Sequence, residues 1–170
     1  RDGVINRRII DDYVKTPNEF EFLPDAIEAI IEFGKVFGRI IIVTNQQGVG
    51  KGIMSLDQLS KVHTFMLDQI KSGGGRIDQI YFCTALAKEN HPDRKPQIGM
   101  AIKAKMDYPE IDFSKSIMVG DSISDMEFGK NAGMKNVFIT SESNIKQTRS
   151  EIADICLNSL YEFAQLIISK

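Results

Sequence analysis

The residues best suited to chemistry in this chain are carboxylates and small polar groups that directly follow apolar runs. In GDSISDMEFGKNAG, Asp121 comes straight after IMVG and Asp125 stands four residues later, one turn into a predicted helix. Two carboxylates so placed suit a hard cation such as Mg²⁺, which takes oxygen ligands. They equally suit a helix start, with Asp121 as N-cap and Asp125 as a first-turn acid favoured by the helix dipole. Thr44-Asn45-Gln46 follows the run IIIV. A hydroxyl and backbone N–H groups at a strand end can hold phosphate oxygens, and a plain polar turn would read the same way. Arg94-Lys95 precedes Pro96. Lys95 could neutralise phosphate charge, and Arg94 could make a bidentate contact to a second phosphate or a sugar oxygen; a solvated surface pair is the alternative. At the start of the sequence, Asp2-Gly3 is a turn-forming dipeptide.

Two other patterns lead nowhere. GVGKG resembles a P-loop, but Asn45 stands where its first glycine should be and Gly52 where its metal-binding hydroxyl should be. The stretch 46–54 reads instead as a glycine-hinged loop with Lys51 a solvated charge. Cys83 and His91 are the only soft ligands near the Arg94-Lys95 loop, and a structural zinc takes four, so no zinc is expected. His63 reads as a partly exposed helix residue rather than a catalyst.

The elements that must position these groups alternate between apolar strands and amphipathic helices. Residues 7–23 read as a long polar loop. Pro24 opens a helix with Ile27, Ile30 and Ile31 on one face. RIIIVT (39–44) is a β-branched run suited to a strand buried on both faces. Ser55 is an N-cap for a helix striped by Leu56, Leu59, Val62, Met66 and Ile70, which KSGGG ends. Further strands are predicted over 77–85, 116–121 and 136–140, further helices over about 97–106 and 123–132, then a short strand near DICLN and a closing helix at 159–168. This order predicts an α/β fold: a Rossmann-like three-layer sandwich with a central parallel sheet. In such sheets ligands bind beyond the carboxyl ends of the strands, which is where Thr44 and Asp121 fall.

Bulk properties narrow the function classes. The 170 residues suit one domain, and 42% hydrophobic content can fill its core. Net charge is −2, with the signs mixed along the chain. No basic stripe points to nucleic acid, and no apolar run is long enough to span a membrane. Two cysteines without framework spacing read as reduced thiols in a cytoplasmic protein.

An Asp-Gly turn, then strand-Thr-Asn, then Lys-Pro, then strand-Gly-Asp-x-x-x-Asp resembles the haloacid dehalogenase superfamily of phosphohydrolases. RDGVIN, VTNQQGVGKG, RKPQIGM and MVGDSISDMEFGKNAG look like its histidinol-phosphate phosphatase-related subgroup. The chain departs from that subgroup in two ways. It lacks the usual Cys/His zinc cluster before Arg-Lys-Pro, and Ser122 follows Asp121 where lysine is often found.

The resemblance implies a Mg²⁺-dependent phosphatase that works through an aspartyl-phosphate. Asp2 would be the second Asp of the Asp-x-Asp motif, the general acid and base, with its carbonyl on Mg²⁺. Asp121 would be a metal ligand, and Asp125 a nearby acid or occasional ligand. Thr44, Asn45 and Gln46 would hold the phosphoryl group, Lys95 would balance its charge, Arg94 would face the substrate, and Asn6 would brace the first motif. The nucleophilic Asp is expected immediately before Arg1, ending an apolar strand of roughly five to eight residues, so that residues 1–170 alone would be inactive. The spacing leaves no room for a cap domain; loops 7–23, 46–54 and 85–94 would cover the site, where Arg7, Arg8, Lys51 and Lys88 could meet a second phosphate. The substrate implied is a small phosphorylated metabolite: a heptose 1,7-bisphosphate first, histidinol phosphate as the alternative. A non-catalytic phosphate-binding module is the reading from another class. A monomer is expected.

Overall fold

The computed structural model describes residues 1–140 and 152–169. Among them the elements run α1 (Ala26–Val36), β1 (Ile41–Asn45), α2 (Gln47–Gly50), α3 (Leu56–Ser72), β2 (Gln79–Cys83), α4 (Gly99–Asp107), β3 (Ile117–Gly120), α5 (Ile123–Ala132), β4 (Lys135–Ile139), β5 (Ile155–Leu157) and α6 (Leu160–Ile168). All the paired strands are parallel. β1 pairs β2 with Thr44 opposite Phe82, and β3, β4 and β5 lie side by side in that order.

Local chemistry sets the helix ends. Ser55 Oγ accepts from the Gln58 N–H at 3.1 Å while Gln58 Oε1 accepts from the Ser55 N–H at 2.8 Å, a reciprocal cap that starts α3. Ser122 and Asp125 do the same for α5, so Ser122 is the N-cap rather than Asp121. Gly133, at φ +77, ends α5 in the left-handed conformation that glycine adopts without strain. Pro24 lies two residues ahead of α1, and Asp25 takes the capping place instead.

Helices cover both faces of the strands. One core joins Ala29, Ile30 and Phe33 of α1, Val62, Met66 and Ile70 of α3, Val137 and Ile139 of β4, and Phe163 and Ala164 of α6. The opposite core joins Cys83, Met100, Ala101, Met118 and Phe128 through β2, α4, β3 and α5. The fold is thus the expected layered α/β sandwich, with no separate cap domain among the described residues. The segment over residues 7–23 returns to its own root, where Asn6 bridges Phe22 and the Arg7 guanidinium grips the Glu21 carboxylate at 2.9 and 3.0 Å.

The described strands form two parallel sheets, β1-β2 and β3-β4-β5. Between them runs an apolar slot of about 450 Å³ walled by Ile41, Val43, Val4, Ile117 and Val119. His63 is buried, not partly exposed. Its ring meets Phe82 edge-on at 5.8 Å, and burial, with Arg1 adding to it, lowers its pKa to about 4, so it stays neutral at physiological pH.

Candidate active site

The Asp2-Gly3 turn is closed by its own backbone: the Arg1 carbonyl accepts from the Ile5 N–H at 2.8 Å, and the Asn6 carbonyl from the Gly3 N–H at 2.8 Å. Gly3 sits at φ +81, and a Cβ built there would lie 2.0 Å from Asp121 Oδ2. Only glycine lets the turn come this close to the carboxylate after β3. The Asp2 carboxylate is held on both sides. Its Oδ1 accepts from Arg1 Nη2 at 2.6 Å and Asn6 Nδ2 at 3.0 Å, and its Oδ2 accepts from Gln46 Nε2 at 3.0 Å. Burial works against its ionisation, but the Arg1 guanidinium and the Asn6 amide outweigh that and hold it well below the usual carboxylate range.

Across the pocket, Asp125 is buried and fully engaged. Its Oδ1 meets Lys95 Nζ at 2.6 Å, and its Oδ2 accepts from the Asp121 N–H at 3.2 Å, the Ser122 N–H at 3.1 Å and Ser122 Oγ at 2.7 Å. Burial opposes the charge on Asp125, and Lys95 and Ser122 overcome it, so its pKa is lowered. Asp121 goes the other way. Burial first, then the Asp125 charge, push its pKa up, and Arg8, whose Nη1 lies 3.5 Å from Asp121 Oδ2, offsets only part. A carboxylate destabilised in this way, packed against Gly3 and lining the same pocket as Asp2, has the donor chemistry that suits a hard divalent cation. Among the described residues no group of three or more His, Cys, Asp or Glu is arranged to hold a metal ion. Cys83 Sγ and His91 Nδ1 lie 3.8 Å apart without further soft ligands.

Thr44 and Asn45 close β1 at the same end of the strands. The Asn45 side chain clamps the Lys95 backbone in both directions, donating to its carbonyl at 3.1 Å and accepting its N–H at 3.0 Å. Lys95 Nζ also donates to the Val43 carbonyl at 2.9 Å, which fixes the ammonium beside Asp125. Arg94 donates to the Ala85 carbonyl at 2.8 Å and lies 3.4 Å from Gln47 Oε1.

Of the sequence-predicted site residues, Asp2, Thr44, Asn45, Arg94, Lys95, Asp121 and Asp125 all line one polar pocket of about 690 Å³. Asn6 and Gln46 do not reach it; both are buried behind the Asp2 carboxylate. Gln46 was expected on phosphate, yet its N–H is bound to the Cys83 carbonyl at 2.7 Å and its amide nitrogen to Asp2 and Thr44. Of the basic loop residues, Arg8 and Lys51 line the pocket, whereas Arg7 is taken by Glu21. Sequence reasoning gave no role to Ser122, Gln47 or the buried Arg1. Ser122 had a signal in the Ser-x-x-Asp spacing of a capping box.

Comparison with known proteins shows which proteins this chain is similar to. The HAD-hydrolase-like family model matches residues 93–163. The chain is 35% identical over 164 residues to the D-glycero-α-D-manno-heptose-1,7-bisphosphate 7-phosphatase of Mycobacterium bovis, covering 96% of this chain and 86% of that one. It is 31% identical over 180 residues to the D-glycero-β-D-manno-heptose-1,7-bisphosphate 7-phosphatase of Photorhabdus laumondii, covering 98% and 92%. Among solved structures, the D,D-heptose 1,7-bisphosphate phosphatase from B. bronchiseptica, complexed with magnesium and phosphate, superposes with a TM-score of 0.89 at 26% identity over 99% of this chain and 95% of that one.

Proposed function

We propose, for a chain that belongs to the haloacid dehalogenase superfamily of phosphatases, that it removes the 7-phosphate from a D-glycero-D-manno-heptose 1,7-bisphosphate with Mg²⁺. The observation that carries this is the convergence of Asp2, Thr44, Lys95 and Asp121 on one pocket at the strand ends, in a chain similar over almost its whole length to heptose-bisphosphate phosphatases.

The mechanism uses two carboxylates. A carboxylate immediately before Arg1 bonds to phosphorus as the phosphorus–oxygen bond to the sugar breaks. The electron pair leaves with the sugar oxygen, which takes a proton from the Asp2 carboxyl. Water then attacks the same phosphorus and gives its proton to the Asp2 carboxylate; the acyl oxygen leaves, and inorganic phosphate is released. The depressed pKa of Asp2 suits the second half-reaction, and an arriving phosphoryl dianion raises its proton affinity for the first. Thr44 and Asn45 hold the phosphoryl oxygens, and Lys95, anchored by Asp125 and the Val43 carbonyl, supplies a fixed positive charge. Mg²⁺, held by the Asp121 carboxylate and the Asp2 carbonyl, would neutralise phosphoryl charge. Asp125 serves that centre by fixing Lys95 and the Asp121 N–H. Arg94, Arg8 and Lys51 at the rim suit a second phosphate.

The place for the nucleophile is supported by the slot between β1 and β3. Its apolar walls suit an extended apolar segment entering from before Arg1, which would join the two sheets into one. We infer a single catalytic domain and a cytoplasmic monomer, consistent with both cysteines being thiols. Among the described residues no helix is long and apolar enough to cross a membrane.

Phosphate release from a substrate panel by the full-length protein with Mg²⁺ tests this reading. Heptose 1,7-bisphosphate is expected to give the highest kcat/KM, with both anomers assayed. Faster release from histidinol phosphate would overturn the substrate, and no release from any phosphomonoester would favour a binding module. The encoded residue before Arg1 discriminates independently: Asp supports the enzyme, and Ala, Asn or Gly the binding module.

A further inference from the structure

We propose that Gln46 is a positioning residue for phosphoryl transfer, an inference that rests on the reading of Asp2 as the general acid. Gln46 is 1% exposed and absent from the pocket wall, although its neighbours Thr44, Asn45 and Gln47 line it. Its side-chain nitrogen lies 3.0 Å from Asp2 Oδ2 and 2.9 Å from Thr44 Oγ1.

The chemistry of the partners fixes the orientation of this amide. An ionised carboxylate can only accept, so the nitrogen must face Asp2. The second hydrogen on the same nitrogen then points at Thr44 Oγ1, which accepts it. A hydroxyl has one hydrogen, and that of Thr44 is left to donate elsewhere. Thr44 is buried, and the pocket it lines is where a phosphoryl oxygen would sit. With Arg1 and Asn6 on the opposite oxygen, the Gln46 amide locks the rotation of the Asp2 carboxylate; and by donating its second hydrogen to Thr44 Oγ1 it is itself held in that orientation, while the Thr44 hydroxyl hydrogen stays free for substrate with or without it.

A group that aims the general acid has a signature that a phosphate ligand or a packing residue lacks. Loss of aim should matter most where the leaving oxygen needs a proton and least where it does not. kcat/KM ends at leaving-group departure, so it isolates that step. In the full-length protein, Gln46→Met is expected to lower kcat/KM for a sugar phosphate at least about tenfold more than for p-nitrophenyl phosphate, whose leaving group departs without protonation. The inhibition constant of inorganic phosphate should change little. Equal losses for the two substrates would overturn the positioning role, and a phosphate constant weakened in step with kcat/KM would make Gln46 a phosphate ligand. Gln46→Glu, of the same shape but facing Asp2 with an acceptor, should show the same selective loss, and it carries the test if the methionine variant fails to fold. If the wild-type protein hydrolyses no phosphomonoester, the functional reading fails. The crystal structure of either variant still decides this one: the Asp2 carboxylate is expected to rotate away from its wild-type position, and an unmoved carboxylate would contradict it.

Discussion

At the scale of single residues, the site is a set of buried charges that hold one another in place. Lys95 and Asp125, each with a side chain 7% exposed, form the most costly pair to break. Lys95→Met would leave Asp125 buried and uncompensated, with an expected loss of about 3 kcal/mol of stability. Urea unfolding checks this, and adding Asp125→Asn should recover most of the loss; two independent, additive losses would contradict the pairing. Most of these residues were legible in the sequence because their types and order are unusual: an Asp-Gly turn, Thr-Asn after one strand, Gly-Asp-x-x-x-Asp after another. What stayed hidden was which way each side chain turns. Asn45 and Gln46 look equivalent as polar residues at the end of the IIIV run, but Asn45 clamps the Lys95 backbone while Gln46 lies behind Asp2. A spacing along the chain does not encode a χ angle.

At the scale of elements, the turn at Gly3 and the helix α3 carry distinct consequences. Gly3→Ala would put a methyl group against Asp121 in a left-handed backbone. The expected outcome is loss of at least about a hundredfold in kcat by displacement of the two carboxylates; wild-type turnover would show that the close approach is not needed. His63 on α3 links pH to stability. Its ordinary pKa of 6.5 falls to about 4 in the fold, so between those values the unfolded chain binds a proton that the folded one does not. Stability should therefore fall as pH drops through this window, by up to roughly 1.4 kcal/mol per unit, with no further loss from His63 below it. Chemical denaturation at pH 7, 6 and 5 should show a shallower fall for His63→Leu; an unchanged slope would exclude His63 as the cause. The strands and long helices were readable from periodicity to within a few residues. The burial of His63 was not, because it depends on Phe82 arriving from β2, a contact between separate elements.

At the scale of the whole molecule, the layered fold exists to bring strand ends together, and the described strands do so from two sheets with an apolar slot between them. The alternation of strands and helices made parallel pairing legible, but how the described strands divide into two sheets depends on contacts between elements far apart in the chain. The proposed function takes Asp2 as the acid and base partner of a nucleophilic carboxylate next to Arg1, and that is its central claim. The most direct measurement is to trap the intermediate. In full-length Asp2→Asn, p-nitrophenyl phosphate with Mg²⁺ should release one equivalent of nitrophenol and then stall, since its leaving group needs no proton but the attacking water needs a base. Mass spectrometry should place a single phosphoryl group on the carboxylate immediately before Arg1. Sustained turnover by the variant, or a phosphoryl group at any other residue, would contradict the account.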